Sequence, residues 1–272
     1  MKQISIILAN MQNQYCIPNE LFKTEKYPEK EIYCKARDRE VVESNNEITK
    51  ILLTHSPSLE IIIFSELQSQ ESERLKVLFE DNGYLYIQPL DKLKGRQLVT
   101  AIAINKKIAE KLNLPQKSTS TLLTENPLQF RNCTIESDIV SITALYLPPR
   151  TNDSKRNDIA NRGLLELSKH MVSKFSENPD KVYFFGGDLN ADFEKIKGLE
   201  TVKRNINKIP TSYNAWNYLK TESTDTLNYS NKKHKTKIDH LFTNAKIVDF
   251  DNQERNFDTD HTFPIITVEL DI

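Results

Sequence analysis

The sequence contains few cysteines and no long apolar run. Its three cysteines, Cys16, Cys34 and Cys133, are odd in number and widely spaced, which excludes a complete disulfide framework. They also form no Cys-x-x-Cys pair of the kind that holds a structural metal. Reduced thiols in a cytosolic protein are therefore the simplest interpretation.

The apolar segments are short. No stretch approaches the roughly 20 apolar residues that a membrane-spanning helix needs. The first apolar run, Ile4 to Ala9, is shorter than the hydrophobic segment of a secretory signal peptide. We therefore expect a cytoplasmic protein that does not insert stably into a membrane, and we expect it to be a monomer.

An excess of positive charge is also absent. The 37 basic and 38 acidic residues leave a formal net charge of −1, whereas a strongly basic chain would have favoured nucleic acid outright. A local patch matters more than the total, however. One basic cluster comprises Lys232, Lys233, His234, Lys235 and Lys237. It fits a loop that meets phosphate and equally a loop that its charges keep solvated.

Hydrophobic periodicity predicts alternating strands and helices. The predicted strands are 4–9, 59–64, 84–87, 98–104, 139–147, 182–185, 238–243, 247–250 and 265–270, and the predicted helices are 37–55, 70–81 and 156–176. Residues 12–35 are predicted to form a long loop. Because strands outnumber helices and no linker or repeat divides the chain, the pattern favours one α/β domain, 1–272, with two packed sheets and helices on the outer faces.

Polar side chains follow or interrupt several of the predicted strands. They are Asn10, Glu66, Asp188, Asn190, Asp239, Asp260 and His261. Side chains from distant segments can converge at strand ends in α/β sheets, so these residues predict one common site. A hard cation such as Mg²⁺ prefers oxygen ligands, and Glu66 with Asp260 and Asn10 would satisfy it. An Asp or His beside such a metal can orient or deprotonate water.

Each of these residues, taken alone, also has a purely structural interpretation. Asn10 could form a turn, Glu66 could cap a following helix, and Gly186-Gly187-Asp188 could be a tight turn. His240 is expected to face solvent or to pack, because its neighbour Asp239 takes the opposite face of the strand. The order and spacing of the whole set are more specific than any one member.

The set resembles the endonuclease/exonuclease/phosphatase superfamily over about residues 4 to 270. This superfamily includes exonuclease III-like AP endonucleases, DNase I-like nucleases, inositol polyphosphate 5-phosphatases and neutral sphingomyelinases. The similar motifs are Ile7-Leu8-Ala9-Asn10-Met11-Gln12, Phe64-Ser65-Glu66, Leu145-Tyr146-Leu147-Pro148-Pro149, Gly187-Asp188-Leu189-Asn190, Ile238-Asp239-His240-Leu241-Phe242 and Thr259-Asp260-His261-Thr262-Phe263-Pro264. Two positions depart from the family pattern, since Ser65 replaces a Gln and Thr259 replaces a Ser.

The resemblance implies a fold, a cofactor and a set of roles. The fold would be a four-layer α/β sandwich, and water would attack phosphorus in line while Mg²⁺, or Mn²⁺, neutralises the developing charge. The implied metal ligands are Glu66, as the main one, with Asn10, Gln12 and Asp260 nearby. Among the implied catalytic residues, Asp188 would position or deprotonate the water, and Asn190 would hold a phosphate oxygen. Tyr146 would contact the phosphate or the leaving group. His261 would contact the phosphate and would be oriented by Asp239.

A nuclease acting on DNA or RNA is the first substrate hypothesis. Tyr146-Leu147-Pro148, Asp188-Leu189-Asn190 and Trp216-Asn217-Tyr218 look more like the AP endonuclease branch, whose members act in DNA repair, than like the lipid branch. The predicted substrate-binding residues are Gln12, Arg150, Trp216 and Lys237. AP endonucleases usually carry an aromatic residue shortly before the Asp239 position, where this chain has Thr236 and Lys237. This departure favours a general endonuclease or exonuclease over an abasic-site enzyme.

Two other hypotheses stay open. A phosphoinositide phosphatase or a sphingomyelinase-like phosphodiesterase is possible because Ile238-Asp239-His240-Leu241-Phe242 is also common in that branch. The absence of a membrane anchor and of a basic amphipathic helix argues against a lipid substrate. A scaffold without activity is the third hypothesis, and the intact set of acidic residues argues against it.

Overall fold

The computed structural model describes residues 1–11, 23–54, 59–89, 97–118, 122–123, 128, 131–150, 154–195, 198–208, 213–218, 227, 229–252 and 260–271. Within these ranges the strands are β1 (Lys2–Asn10), β2 (Ile61–Gln68), β3 (Tyr84–Ile87), β4 (Leu98–Asn105), β5 (Asn132–Glu136), β6 (Val140–Tyr146), β7 (Val182–Asp188), β8 (Tyr213–Asn214), β9 (Asp239–Thr243), β10 (Lys246–Asp251) and β11 (Ile265–Leu270). The α-helices are α1 (Lys30–Thr54), α2 (Ser69–Asp81), α3 (Lys106–Lys111), α4 (Ser154–Glu177) and α5 (Glu200–Asn207), and Ala215–Tyr218 is a 3₁₀ turn.

The strands form two mixed sheets. The first has the order β10-β11-β1-β2-β4-β3, and the second has the order β5-β6-β7-β9-β8. The pairs β1–β2 and β6–β7 are parallel, and the other pairs are antiparallel. The two parallel pairs carry the strand ends at which the polar residues lie.

Alternating side chains build the layers, because successive residues of a strand face opposite sides of a sheet. Ile6 and Ile63 of the first sheet pack with Phe184 of the second in the central core. Their neighbours Ile7 and Ile62 face outward, where they pack with Ile48 and Leu52 of α1 and Leu75 and Phe79 of α2. On the far side, Phe185 and Phe242 pack with Leu164, Leu167 and Met171 of α4 and Val202 of α5. The result is the expected four-layer sandwich of helices, sheet, sheet and helices.

Gly187 lets β7 reach the edge of the sheet. Its φ is +134°, and a Cβ at this position would lie 2.0 Å from the carbonyl oxygen of Leu145 on the neighbouring strand. Any other side chain would therefore push β7 away from β6. The tight-turn interpretation of Gly186-Gly187-Asp188 is wrong, because β7 continues through both glycines to Asp188.

Several elements differ from the prediction. Helix α1 begins at Lys30 rather than 37, and the buried Tyr33 in its first turn packs edge-on against Tyr27, with ring centroids 5.9 Å apart. The predicted loop therefore ends earlier, and residues 12–22 of it lie outside the described ranges. The elements β5, α3, α5 and β8 were not predicted, because elements of two to eight residues carry little periodicity of their own.

None of the helices in the described ranges combines the length and the apolar character needed to cross a membrane.

Candidate active site

The second sheet brings three of the predicted catalytic residues into one row. Tyr146 pairs with Asp188 across β6 and β7, and Asp188 pairs with Asp239 across β7 and β9. Directly paired residues on antiparallel strands, such as Asp188 and Asp239, have Cα atoms roughly 4.5–5.5 Å apart. All three residues are almost completely buried. Tyr146 and Asp239 lie 42 and 51 residues from Asp188 along the chain, and strand register alone brings them beside it.

The first sheet supplies Asn10 and Glu66 from the ends of its parallel pair. Asn10 pairs with Ser65, and Glu66 follows at a register shift between Phe64 and Leu67. Glu66 has a φ of +55°, which is uncommon for a residue other than glycine. Such backbone strain concentrates at functional sites, where the surrounding structure holds it in place.

Tyr146 joins the two sheets at the site. Its hydroxyl donates a hydrogen bond of 2.9 Å to Oε1 of Glu66. Burial raises the pKa of Glu66 to about 7, although His261 and the Tyr146 hydrogen bond oppose this rise. Burial and the nearby Glu66 raise the pKa of Tyr146 well above its usual 10, so its hydroxyl keeps its proton and acts as a donor.

Asp188 is held by two amides. Asn10 Nδ2 donates to its Oδ2 over 2.9 Å, and Asn190 donates its backbone N–H to Oδ1 over 2.8 Å and its Nδ2 to Oδ2 over 3.1 Å. Asn190 has a φ of +47° and also bonds the carbonyl oxygen of Leu147 over 2.8 Å. Burial and repulsion from Asp239 raise the pKa of Asp188 well above its usual value, which makes its carboxylate a stronger proton acceptor.

Asp239 orients His261. Oδ2 of Asp239 lies 2.7 Å from Nδ1 of His261, and both side chains are buried. Burial lowers the pKa of His261, but the carboxylates of Asp239, Asp188 and Asp260 together outweigh burial and raise that pKa to about 10. The imidazole is therefore a cation at neutral pH, and its Nε2 remains directed at the other site residues. Asn10 Nδ2 lies 3.4 Å and Asp260 Oδ1 lies 3.5 Å from this nitrogen.

Asn231 also lies in the site, and sequence reasoning missed it. Its Nδ2 is 3.4 Å from Asp260 Oδ2 and 3.5 Å from His261 Nε2. Its Oδ1 accepts the backbone N–H of His234 over 2.8 Å, which fixes the orientation of the amide. A lone asparagine in a basic loop carries no sequence signal of this position. Its only cue was its place between two predicted motifs.

The predicted substrate-binding residues either lie outside the described residues or have hydrogen-bond or ion-pair partners within the protein. Gln12 lies outside the described residues. Arg150 donates to the carbonyl oxygen of Asn190 over 2.7 Å and to Asn161 Oδ1 over 3.0 Å. Trp216 is buried and donates its Nε1–H to the carbonyl oxygen of Asp239 over 2.8 Å. These contacts support the site from within, and none of them needs a substrate.

Lys237 also forms an ion pair with another side chain of the protein. Its Nζ lies 2.7 Å from Glu194 Oε1 and 5.8 Å from the centre of the Trp216 ring. The rest of the basic cluster lies in a turn closed by the bridge between Asn231 and Thr236, where Lys233 and Lys235 are exposed. Both interpretations of this cluster, phosphate contact and solvated loop, therefore stay open for its exposed members.

His240 is buried, which excludes the solvent-facing alternative. Its Nε2 lies 2.8 Å from the carbonyl oxygen of Ala191 and 2.9 Å from that of Lys237, so this nitrogen carries the proton. Its Nδ1 lies 3.2 Å from Asn214 Nδ2 and therefore accepts. Burial lowers the pKa of His240 below 6.5. The ring is a neutral packing element on the outer face of the second sheet.

Two sets of side chains could hold a divalent cation. In the first set, ligand atoms of Asp188, Asp239 and His261 lie within 4.8 Å of one another. Within this set the Asp239–His261 hydrogen bond already occupies Nδ1 of the imidazole. The second set is the predicted one and supplies only oxygens, from Glu66 and Asp260, which hard cations prefer.

One buried carboxylate oxygen of the site could bond a further group. Oδ1 of Asp239 has no hydrogen-bond partner in the described part of the chain. Buried carboxylate oxygens are rarely left unpaired, so a cation, or a water that it carries, would satisfy this atom. Repulsion from Asp260 also contributes to the raised pKa of Glu66. A cation held by these carboxylates would relieve that repulsion, and their oxygen atoms suit the implied metal.

Comparison with known proteins identifies the fold. No protein-family profile matches the sequence, and no curated protein matches it. Among solved structures, an AP endonuclease from Archaeoglobus fulgidus matches with a TM-score of 0.67 and 14% identity, covering 98% of this chain and 100% of that one. TDP2 from C. elegans matches with a TM-score of 0.65 and 14% identity, covering 98% of this chain and 75% of that one. D. rerio TDP2 complexed with a single-strand DNA product matches with a TM-score of 0.57 and 12% identity, covering 99% of this chain and 100% of that one. The chain shares the DNase I-like α/β sandwich fold of these solved structures.

Proposed function

We propose that this protein is a divalent-metal-dependent phosphodiesterase that hydrolyses phosphodiester bonds of nucleic acid. One observation carries the proposal. Two sheets bring a buried carboxylate held by two amides, an Asp–His pair and a second carboxylate bonded to a tyrosine to the same edge. These groups match the needs of water attack on phosphorus, namely a proton acceptor, a cationic imidazole and an oxygen-rich metal site.

The metal would be held by Glu66 and Asp260, with Asn10 beside them. When bound, it would neutralise charge on the phosphoryl oxygens and so lower the barrier to attack. Mg²⁺ is proposed, with Mn²⁺ as an alternative of the same oxygen preference.

The chain's own residues would perform the remaining steps. Asp188, aligned by Asn10 and Asn190, would accept a proton from the attacking water. The cationic Nε2–H of His261 would donate to a phosphate oxygen, and Asp239 would keep the ring oriented and charged. Tyr146 would donate its hydroxyl hydrogen towards Glu66 or a phosphate oxygen.

Nucleic acid is proposed as the substrate for two reasons. The matched structures include an AP endonuclease and a TDP2 complex with single-strand DNA product. The exposed Lys233 and Lys235 lie in the loop next to Asp260, since the backbone N–H of Lys232 donates to the Asp260 carbonyl oxygen over 2.6 Å. Exposed cations beside a phosphodiester site favour a polyanionic substrate.

A substrate panel tests the proposal. The purified protein is incubated with plasmid DNA, single-stranded RNA, an abasic duplex, a phosphoinositide and sphingomyelin, each with Mg²⁺ and with Mn²⁺. Cleavage of one or more nucleic acids is expected, and the same panel with Asp188→Asn is the control for contaminating nucleases. Cleavage of lipids alone would overturn the choice of substrate, and inactivity on all five would support a scaffold.

A further inference from the structure

Backbone pairing holds Asn231 in the candidate active site. Asn231 and His261 are the directly opposed residues of an antiparallel bridge. Two short backbone hydrogen bonds, of 2.6 and 2.7 Å, flank this bridge and join Lys232 to Asp260 and Thr262 to Ser230. Directly opposed residues of an antiparallel pair present their side chains on the same face. The Asn231 amide is therefore placed beside the imidazole by the fold and not by its own flexible side chain.

The amide of Asn231 also has a fixed orientation. Its Oδ1 accepts the backbone N–H of His234 over 2.8 Å. Because only the oxygen of an amide accepts a hydrogen bond, this contact identifies the other atom as the nitrogen. The residue is 5% exposed, so its Nδ2 is directed into the site and not into solvent.

Three side-chain nitrogens converge at this point. Nδ2 of Asn231 lies 3.5 Å and Nδ2 of Asn10 lies 3.4 Å from Nε2 of His261. The carboxylate nearest to the Asn231 amide is no closer, since Oδ2 of Asp260 lies 3.4 Å from Nδ2. All three separations exceed the roughly 2.9–3.0 Å of a typical N–H···O hydrogen bond. The Asn231 amide thus has long contacts on this side and a short one only at its oxygen.

Converging nitrogens favour an anionic oxygen between them. An amide nitrogen does not titrate and acts as a donor at every pH. An oxygen that bonds Nε2 of His261 at roughly 2.8 Å comes within bonding reach of Asn231, because the two nitrogens are 3.5 Å apart. Donors that are held in place before the reaction stabilise developing negative charge without rearranging.

We propose that Asn231 is a catalytic residue whose Nδ2 donates a hydrogen bond to a non-bridging oxygen of the scissile phosphate, beside Nε2 of His261. This inference rests on the proposed function. In the competing interpretation, Asn231 only closes its loop through His234 and restrains Asp260. The two differ in a measurable way, because only a contact with phosphate depends on the identity of one non-bridging oxygen.

Phosphorothioates test the contact. The linkage that the protein cleaves in a short oligonucleotide is made in three forms, with phosphate or with sulfur in either non-bridging position, and single-turnover rates are measured. Asn231→Ala should slow cleavage of the phosphate form by about 10²-fold, the loss typical of one oxyanion donor. Sulfur accepts hydrogen bonds weakly, so for one diastereomer the ratio of oxygen to sulfur rates should fall severalfold in the variant. Unchanged ratios for both diastereomers would overturn the proposal.

Asn231→Asp separates the donor from the loop contact. Aspartate keeps an oxygen for the His234 N–H but replaces the donor by an anion, so this variant should be at least as slow as Asn231→Ala. Near-full activity of Asn231→Asp would contradict the proposal. It also provides a second variant if Asn231→Ala does not fold.

Asn244 offers a matched control at the other end of β9. Its Oδ1 accepts the backbone N–H of Tyr183 over 2.8 Å, and its Nδ2 donates to the carbonyl oxygen of Lys181 over 2.9 Å. Asn244→Ala removes the same side chain and should lower the melting temperature, but it should leave both rate ratios unchanged. Thermal melts of all variants show whether a slow variant is folded.

A second measurement does not depend on turnover. The asparagine side-chain amides are labelled with ¹⁵N, and the Asn231 signals are identified by their loss in Asn231→Asp. Titration with inorganic phosphate should shift these signals saturably and leave those of Asn244 in place. Asn231 signals that do not move at any phosphate concentration would contradict the contact. Failure to cleave any nucleic acid would overturn the proposed function as well, whereas cleavage with unchanged ratios would overturn only the role of Asn231.

Discussion

Oδ2 of Asp239 lies 2.7 Å from Nδ1 of His261, although the strands nearest to the two residues belong to different sheets. Asp239 begins β9 in the second sheet, whereas His261 precedes β11 in the first. The contact therefore depends on how the two sheets pack, and it sets both the orientation and the charge of the imidazole.

Replacing Asp239 by asparagine should reduce turnover by about 10²-fold or more, because the amide keeps the shape but no longer stabilises the imidazolium. His261→Ala should have an effect of similar or greater size. The measurement is steady-state kinetics on the best nucleic-acid substrate, with circular dichroism to establish folding. Near-full activity of either variant would mean that the Asp–His pair does not serve the reaction.

Asp188→Ala should also lower turnover by orders of magnitude while the fold persists, because no other acceptor takes its place. The matched comparison is Asn10→Ala, which removes one of the hydrogen bonds that align Asp188. A smaller loss is expected for Asn10→Ala if alignment is its main contribution. Equal losses would indicate that Asn10 acts directly on the metal or the phosphate.

Metal removal should abolish activity, and Mg²⁺ or Mn²⁺ should restore it. Metal binding should also raise the melting temperature, since a ligand at 100 times its dissociation constant stabilises the folded state by about 2.7 kcal/mol. Glu66→Gln should remove most of this stabilisation, because an amide is a weaker ligand than a carboxylate. Full activity in excess EDTA would contradict the metal requirement.

His240 should make the free energy of unfolding depend on pH in a defined direction. Burial lowers its pKa in the folded state below 6.5, so the unfolded chain takes up the proton first as the pH falls. Its contribution to stability is complete above pH 6.5 and is lost on acidification, by at most about 1.4 kcal/mol per pH unit for one group.

Urea unfolding at pH 7.5 and 5.5 measures this contribution as the difference between the unsubstituted protein and His240→Gln. The unsubstituted protein should lose more stability on acidification than the variant. Protonating Nδ1 would set it against the amide of Asn214, whose Oδ1 is held by the backbone N–H of Trp216 at 3.2 Å. The same pH response in both proteins would show that His240 does not titrate in this range.

Gly187→Ala should destabilise the protein strongly, by about 3 kcal/mol or more, because the new Cβ collides with the Leu145 carbonyl oxygen. Gly83→Ala is the matched control, since Gly83 also has a positive φ, +83°, but a Cβ there meets nothing within 4 Å. That variant should lose only about 1–2 kcal/mol, the cost of the left-handed backbone conformation. Thermal or urea unfolding compares the two.

The sequence by itself predicted the strand-rich fold and named the polar residues that the two sheets bring together in the candidate site. Apolar runs such as 59–64 and 182–185 favour buried strands. The polar residues that end these strands then lie along a common edge of the fold. Short elements such as β5 were missed because their pairing partners, and not their own five residues, stabilise them as strands.

Only the tertiary structure decided which basic side chains already have partners and which side chains hydrogen-bond to one another. The sequence predicted that Arg150 and Lys237 bind substrate. In the structure, Arg150 donates hydrogen bonds to Asn190 and Asn161, and Lys237 forms an ion pair with Glu194. Asn231 carries no pattern, and it reaches the site because the folded chain brings its amide nitrogen within 3.5 Å of His261 Nε2. Residue type and order determine what chemistry is possible, whereas burial and pairing, which are properties of the folded chain, determine which groups remain free to perform it.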